Sequence, residues 1–495
     1  MTEKDYMQGA ARVALETLLV FVTAFGLFAL YILPADAVFT IDGFYHFAIA
    51  EQIAKNGFWV DISWLPMTVL GDHGTDHHWF WHLLLSPFAY MDDRVLAFKL
   101  ALITNAAMVP AVLSLVCRLL GVPCAPAWAV ALLALGVFFP ARILMLRAQN
   151  IGIICLLLAG TFAIRRSYLL LTATVFIAIE SYHGALLLSL PIAIVALVSG
   201  VQERKLDTKL LLYPAAGLMG GLVLNPWFPE NFGFLFFHVL FTAGNSLGLP
   251  AGSEWRATGL ADLLKQSWPA HFLWVGSLAW IALEHRDRLR QLPVVTLNLL
   301  GMATLALYIS SNRFIEYYIP IAVLASAMNL LPLWNHLGRQ AIAAIMAISF
   351  VFCSWRIAVN MDVYRSVSHA EFTMFSEIID TLESRAPPGT LVFNGSGDDF
   401  PLLMWQSTSF KYVNGLSSHF LAYESPIRFL NWMKIVGYQP FEGDTASLIL
   451  SAFGTEWVIV ARTNQSLHLR LAKSPNAELI LLTRWGYLYH LAVAE

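Results

Sequence analysis

The chain has 495 residues, 58% of them hydrophobic and 13% charged, with a formal net charge of −3 and a mean hydropathy of +0.63. That is more apolar surface than one soluble core can hide, which excludes an ordinary soluble enzyme, and so small a net charge gives no handle for nucleic acid. The four cysteines, Cys117, Cys124, Cys155 and Cys353, lie in or beside apolar runs without paired or metal-binding spacing, so neither a disulfide framework nor a zinc site can be read from them.

The first apolar run, Val13 to Leu33, is roughly twenty residues long, beyond the apolar core of a secretory signal, and is expected to be an uncleaved anchor despite the Ala35-Asp36-Ala37 that follows it. Further runs near 95–119, 125–140, 148–164, 168–182, 185–200, 210–225, 270–284, 292–310, 314–332 and 340–358 bring the count to about eleven, a polytopic α-helical membrane protein. With Lys4 and Arg12 on the cytoplasmic side, the basic clusters at Arg118, Arg165-Arg166, Arg204-Lys205-Lys209, Arg286-Arg288-Arg290 and Arg339 all fall on that side, as the positive-inside rule requires. This holds only if 230–246 does not span, so it is expected as an interfacial or re-entrant helix inside an outer loop, 225–268. From about residue 360 short β-rich runs alternate with helical ones: Thr390–Phe393, Lys411–Val413, Trp457–Val460 and Leu479–Leu482 against His369–Arg385, Pro426–Val436 and Thr445–Phe453. The division is a membrane domain, 1–359, and a soluble α/β domain, 360–495, which an odd number of spans puts on the outer side.

The first outer loop, 34–94, concentrates the chemistry. Between Phe39 and Phe88 it carries Asp42, His46, Asp61, Asp72, His73, Asp76, His77, His78 and His82, with Trp59, Trp64, Trp79 and Trp81 as rings suited to the membrane interface. Asp42, at the end of the first span, can take the proton of an attacking hydroxyl or cap the helix that begins at Gly43. His46, one helical turn on, can orient that carboxylate or sit in the core. Asp72, Asp76, His77 and His78 can ligate a divalent cation, give hydrogen bonds to a phosphate, or cap and line the helix from Trp79; His82 reads as packing. Arg313 can hold a phosphate bidentately, or pair with Glu316 three residues on. Asp398-Asp399 and Tyr182-His183-Gly184 are candidates for acceptor contact. No nucleotide-binding glycine fingerprint or P-loop occurs.

IDGFYHFAIAEQIAKNGF after the first span, SNRFIEYYIP at 311–320, GTLVFNGSGDDFPLLMWQ and FGTEWVIV occur in an order that resembles the GT-C glycosyltransferases, and among them the catalytic subunit of oligosaccharyltransferase. The resemblance implies a site in the first outer loop, with Asp42 as the acid acting on the acceptor, Arg313 facing the donor phosphate, and a sugar on a polyprenyl phosphate or pyrophosphate as donor. Two features depart from the pattern. The second outer loop reads ARILMLRAQN, with no acidic pair for a metal, so Arg147 is expected to take over phosphate binding; a Mg or Mn ion remains an open possibility, with Asp42, Asp76 and His77 as candidate ligands. The tryptophan-rich acceptor motif is absent, NGSGDDFPL standing in its place. The resulting expectation is an inverting transfer of a sugar from a lipid-linked donor to an acceptor hydroxyl on a glycan, glycolipid or protein. It takes place at the outer face of a bacterial plasma membrane, among membrane lipids and without nucleic acid. Transfer of an oligosaccharide en bloc to protein, a polytopic lipid or solute transporter, and a non-catalytic glycolipid binder are the alternatives.

Overall fold

The computed structural model describes residues 3–60, 62–72, 74–238, 255–336 and 338–492. Helix α1 (Glu3–Ile32) leads into the first loop, which holds β1 (Ala37–Val38), α2 (Asp42–Asn56), α3 (Val69–Asp72) and α4 (Trp79–Leu85). The chain then builds a helical bundle from α5 (Arg94–Leu119), α6 (Ala125–Ala134), the short α7 (Phe139–Ile143), α8 (Gln149–Ile164), α9 (Tyr168–Ser181), α10 (Ser189–Glu203) and α11 (Lys209–Leu224). After α12 (Glu230–Phe237) it continues with α13 (Leu260–Glu284), α14 (Leu292–Ser310), α15 (Ile315–Asn329), α16 (Leu331–His336) and α17 (Arg339–Val367). Among the described residues, five helical segments are long and apolar enough to cross a membrane by themselves: 9–32, 94–119, 183–203, 292–310 and 343–367. The chain is a polytopic membrane protein of mostly helical structure.

Three local features depart from the simple hydropathy pattern. The run expected at 125–140 is broken, α6 ending at Ala134 and α7 starting at Phe139. Gly136 and Pro140 interrupt it, and the freed carbonyls of Leu133 and Gly136 accept hydrogen bonds from Asn360 Nδ2 at 2.9 and 3.1 Å, while Val137 N donates to Gln266 O. The run expected at 270–284 begins at Leu260, bent where Ser267 leaves helical geometry two residues before Pro269. The segment 230–246 starts as a two-turn helix, α12, with Phe232 and Phe236 exposed; residues 239–246 lie outside the described part.

Helix α11 packs along α9, and the close approach depends on Gly221, where a Cβ would stand 2.1 Å from Ile179 Cγ2. At one end of the bundle the basic clusters are tied to their neighbours: Arg118 to Glu16, Arg166 to Glu203, Arg165 to the Leu119 carbonyl, and Gln202 to the Arg290 carbonyl. These ties bring Arg118, Arg165-Arg166 and Arg290 together at one end of the bundle.

Past α17 come β2 (Ala370–Glu371), α18 (Ser376–Glu383), β3 (Leu391–Asn394), α19 (Phe400–Gln406), β4 (Lys411–Tyr412), α20 (Ser418–Glu424), α21 (Pro426–Val436) and α22 (Thr445–Phe453). The chain closes with β5 (Trp457–Ala461), α23 (Gln465–Leu471), β6 (Ala477–Leu482) and β7 (Gly486–Leu491). Five strands form one mixed sheet in the order β4-β3-β5-β7-β6, with β3 parallel to both its neighbours and β7 antiparallel to both of its own. The four strands expected from the sequence appear as β3 to β6. The last strand, β7, was not expected, and the helix expected over His369–Arg385 is confined to Ser376–Glu383, because Ala370 and Glu371 pair with Val38 and Ala37 instead.

That two-stranded pairing joins the sheet unit to the first loop, and the joint is reinforced by side chains. Phe44, Phe98, Phe372 and Trp405 form one aromatic cluster, with Phe44 and Phe98 stacked at 4.9 Å. Arg94 lies over Trp405 at 3.7 Å while donating to both oxygens of Glu51. One hydrophobic core thus runs from the bundle through α2 to α19 and one face of the sheet, and a second lies on the other face. We expect Gly221→Leu to cost about 1–3 kcal/mol by overpacking α11 against α9, read as a lower unfolding temperature in detergent, with Gly276→Leu, where a Cβ meets open space, leaving it unchanged.

Candidate active site

The chain turns from β1 into α2, and the helix start is capped by Thr40, whose Oγ1 accepts from Gly43 N at 3.0 Å. Asp42 is therefore released from the capping role open to it in the sequence. Its carboxylate instead meets Arg147, Nη2 to Oδ2 at 2.6 Å. Gly43 makes the approach possible, since a Cβ there would stand 3.0 Å from Leu146 Cβ. Asp42 remains about a third exposed and faces a cavity of about 190 Å³.

Seven further chain segments complete that cavity. Arg147 comes from the link between α7 and α8, and Arg313 from the single turn between α14 and α15. Arg313 lies over the ring of Trp255 at 4.7 Å. The Trp255 segment is held in turn by Asn312 N donating to Arg256 O and Thr258 N to Ile309 O. His77 and His78 come from the loop before α4, and the His78 ring is hydrogen-bonded through Nδ1 to Ser181 O at 3.0 Å. His183, just after α9, packs against His77, against His78 and, at 3.7 Å between ring centres, against His238 at the end of α12. From the sheet unit Leu416, Ser417 and Phe420 also line it.

The electrostatics divide these groups. Burial pushes His77 well below its ordinary value, and burial first, then His82, pushes His78 down to about 4, so both rings are neutral at neutral pH. Fixed positive charge in the cavity comes from Arg147 and Arg313. His77, His78 and His183 each bring a ring nitrogen within 4.8 Å of the others, an arrangement able to hold a metal ion. Nδ1 of His77 and of His183 is buried with no hydrogen-bond partner among the described residues.

Eight residues singled out from the sequence thus share one cavity: Asp42, His46, His77, His78, Arg147, Tyr182, His183 and Arg313. Others stand behind it. Asp76, 1% exposed, does not cap α4; its Oδ1 accepts from His78 N and its Oδ2 meets His82 Nδ1 at 2.6 Å. His46 bonds to His82 and not to Asp42. Glu316 is fully buried and pairs with Arg142 rather than with Arg313. Of the metal candidates, Asp42 and Asp76 are engaged elsewhere and only His77 belongs to the cluster. The Asp72 side chain, Asp61 and His73 lie outside the described residues. Sequence reasoning missed Trp255, His238 and the 416–420 wall. A lone histidine in the apolar NFGFLFFHVL was a signal for one of them; the others carry no local mark.

No protein-family model matches the chain, and no curated protein sequence matches it. Solved structures do. ArnT from Cupriavidus metallidurans in the apo state superposes with a TM-score of 0.60 at 14% identity, over 95% of this chain and 97% of that one. ArnT from the same organism bound to undecaprenyl phosphate gives a TM-score of 0.54 over the same shares at 14% identity. The likeness shows a common fold along almost the whole length of both chains.

Asp398 and Asp399 do not line the cavity. They sit at the turn into α19, where Asp399 Oδ2 is enclosed and accepts no hydrogen bond among the described residues. Burial, followed by the neighbouring Asp398, raises the Asp399 carboxyl to about 7. An acid that ionises near 7 when folded and near 4 when unfolded keeps its proton longer in the folded state, so stability falls as pH rises from about 4 to about 7 and levels off above. We expect unfolding temperatures in detergent to show that decline in the wild type and a flatter profile in Asp399→Asn.

Proposed function

We propose that the protein is a membrane glycosyltransferase that moves one sugar from a polyprenyl-phosphate donor to an acceptor hydroxyl. The observation that carries the reading is the meeting of a carboxylate, Asp42, and two guanidinium groups, Arg147 and Arg313, in one cavity at one end of an apolar bundle. Chemistry of that kind needs a base for the incoming hydroxyl and positive charge for a departing phosphate. Undecaprenyl phosphate bound to ArnT, whose fold this chain shares, supports a polyprenyl phosphate as the lipid. On a measure in which one water needs about 10–15 Å³, the cavity of about 190 Å³ takes on the order of a dozen small groups, the size of a sugar phosphate.

In the proposed reaction the acceptor oxygen attacks the anomeric carbon opposite the phosphate. The bond from that carbon to the phosphate oxygen breaks, its electron pair stays on the polyprenyl phosphate, and Asp42 takes the proton lost by the hydroxyl. In-line displacement inverts the anomeric centre. Arg147 holds Asp42 in the cavity before substrate arrives and, with Arg313 on its Trp255 support, binds the phosphate afterwards. If a cation is used, His77, His78 and His183 would hold it; three imidazoles suit a zinc-like ion better than magnesium or manganese, and it would add positive charge near the leaving group.

The same reading places eleven spans in residues 1–359, the N-terminus in the cytoplasm, and residues 360–495 as an α/β domain beside the cavity on the outer side of a bacterial plasma membrane. The basic loops gathered at the end of the bundle away from the cavity support this orientation. The acceptor is a hydroxyl on a glycan, glycolipid or protein.

Purified protein in lipid, given radiolabelled polyprenyl-phosphate sugars and a membrane lipid extract, tests the proposal. Asp42→Asn is expected to lower transfer about 10²–10⁴-fold, the usual worth of a general base. Arg313→Ala is expected to lower it about 10²–10³-fold, as the loss of one group stabilising developing charge. Equal transfer by wild type and Asp42→Asn sinks the mechanism, and no transfer by the wild type from any such donor sinks the function.

A further inference from the structure

Behind the cavity wall lies a row of three buried side chains that the reaction above does not use. Asp76 Oδ2 meets His82 Nδ1 at 2.6 Å, and His82 Nε2 meets His46 Nδ1 at 2.8 Å. Exposure rises along the row from 1% and 0% at Asp76 and His82 to 6% at His46, the member that lines the cavity. The row is anchored at its closed end, where Asp76 Oδ1 accepts from His78 N at 2.9 Å.

Hydrogen bonds in series fix where protons sit, because each imidazole in its neutral form has one donor and one acceptor nitrogen. A carboxylate can only accept, so His82 carries its proton on Nδ1 and leaves Nε2 bare. Bare Nε2 can only accept, so His46 carries its proton on Nδ1. The remaining nitrogen of His46 therefore has a lone pair and no hydrogen. We propose that His46 is locked by Asp76 and His82 with an unprotonated Nε2 turned to the cavity, and that this nitrogen accepts a hydrogen bond from a hydroxyl of the donor sugar.

The consequence is a polarity within the cavity. A lone pair repels phosphate oxygens, which carry lone pairs of their own, and attracts hydroxyl hydrogens. Arg147 and Arg313 mark the pole for phosphate, and His46, one helical turn beyond Asp42 on the same face of α2, marks the pole for the sugar. The alternative proton arrangement, an imidazolium at His82 donating from both nitrogens, reverses the proton on His46 and turns Nε2 into a phosphate donor. That arrangement would make Asp76 and His82 an ion pair, and the nitrogen of His46 that carries the proton distinguishes it from the neutral row. Asp76 and His82 are positioning residues in this scheme; neither lines the cavity.

The lock is a statement about the protein without substrate, whereas the sugar as its ligand rests on the proposed function, and the two are tested apart. Full-length protein labelled with ¹⁵N-histidine, in lipid nanodiscs at neutral pH, is examined by NMR, with His46→Gln identifying the His46 signals. A bare Nε2 and a protonated Nδ1 on His46 are expected in the wild type, and a protonated Nε2 there overturns the lock. Asp76→Asn, whose amide can donate to His82 Nδ1, is expected to move the His46 proton to Nε2; His82→Phe, which frees His46 from the row, serves if that variant does not fold. For the ligand, binding of undecaprenyl phosphate and of undecaprenyl phosphate carrying one hexose is compared in wild type and His46→Phe. One neutral hydrogen bond is worth about 0.5–1.5 kcal/mol, so Kd for the hexose-bearing lipid is expected to rise about 2–12-fold while that for undecaprenyl phosphate stays the same. An equal loss for both lipids, or no loss for either, overturns the sugar contact with the lock intact. Failure of the wild type to bind either lipid overturns the proposed function together with that contact.

Discussion

The ion pair between Asp42 and Arg147 is the constraint from which the rest of the site follows. It ties the first turn of α2 to the link between α7 and α8, two segments more than a hundred residues apart, and it fixes the carboxylate so that it looks into the cavity. Both ends are prepared by neutral features. Thr40 takes over the capping of α2, and Gly43 lets the helix start come against Leu146. Asp42, the one carboxylate among the described cavity-lining residues, is thereby left out of the capping of its own helix.

Around that pair the structure separates two kinds of polar group. The arginines at the cavity are fixed cations, each with aromatic or acidic company that holds it in place. The histidines form a cluster of three, in which Nδ1 of His77 and of His183 has no partner among the described residues, and a row of two ended by Asp76. A membrane protein with so few charges can hold these groups together because the surrounding apolar helices exclude the water that would otherwise screen them. The same exclusion makes an unpaired group costly, which is why Glu316 and Arg142 are joined to each other behind the site.

The sheet unit contributes by closure. Its attachment to α2 through Phe44, Trp405 and the Arg94-Glu51 pair is part of the main core, and Leu416, Ser417 and Phe420 contribute to the cavity lining. Leu416 holds that turn with a φ of +61°, a strained backbone for a side chain of its size.

Much of this was legible in the amino-acid order. Apolar runs of bilayer length announce themselves, because each helix must face lipid or other helices over its full length, and β-branched runs such as Trp457–Val460 show their strands in the same local way. The concentration of acid and histidine between Asp42 and His82, the isolated Arg147 and Arg313, and the basic loops shared by one end were also evident, since charge is rare in so apolar a chain. Partners were not. Whether Asp42 caps a helix or meets an arginine, whether Glu316 pairs with Arg313 or Arg142, whether His46 turns to Asp42 or to His82, and that Trp255 lies under a guanidinium are matters of distances between segments far apart along the chain. Local pattern fixes what a residue can do, and only packing chooses which of the possible neighbours arrives within 3 Å.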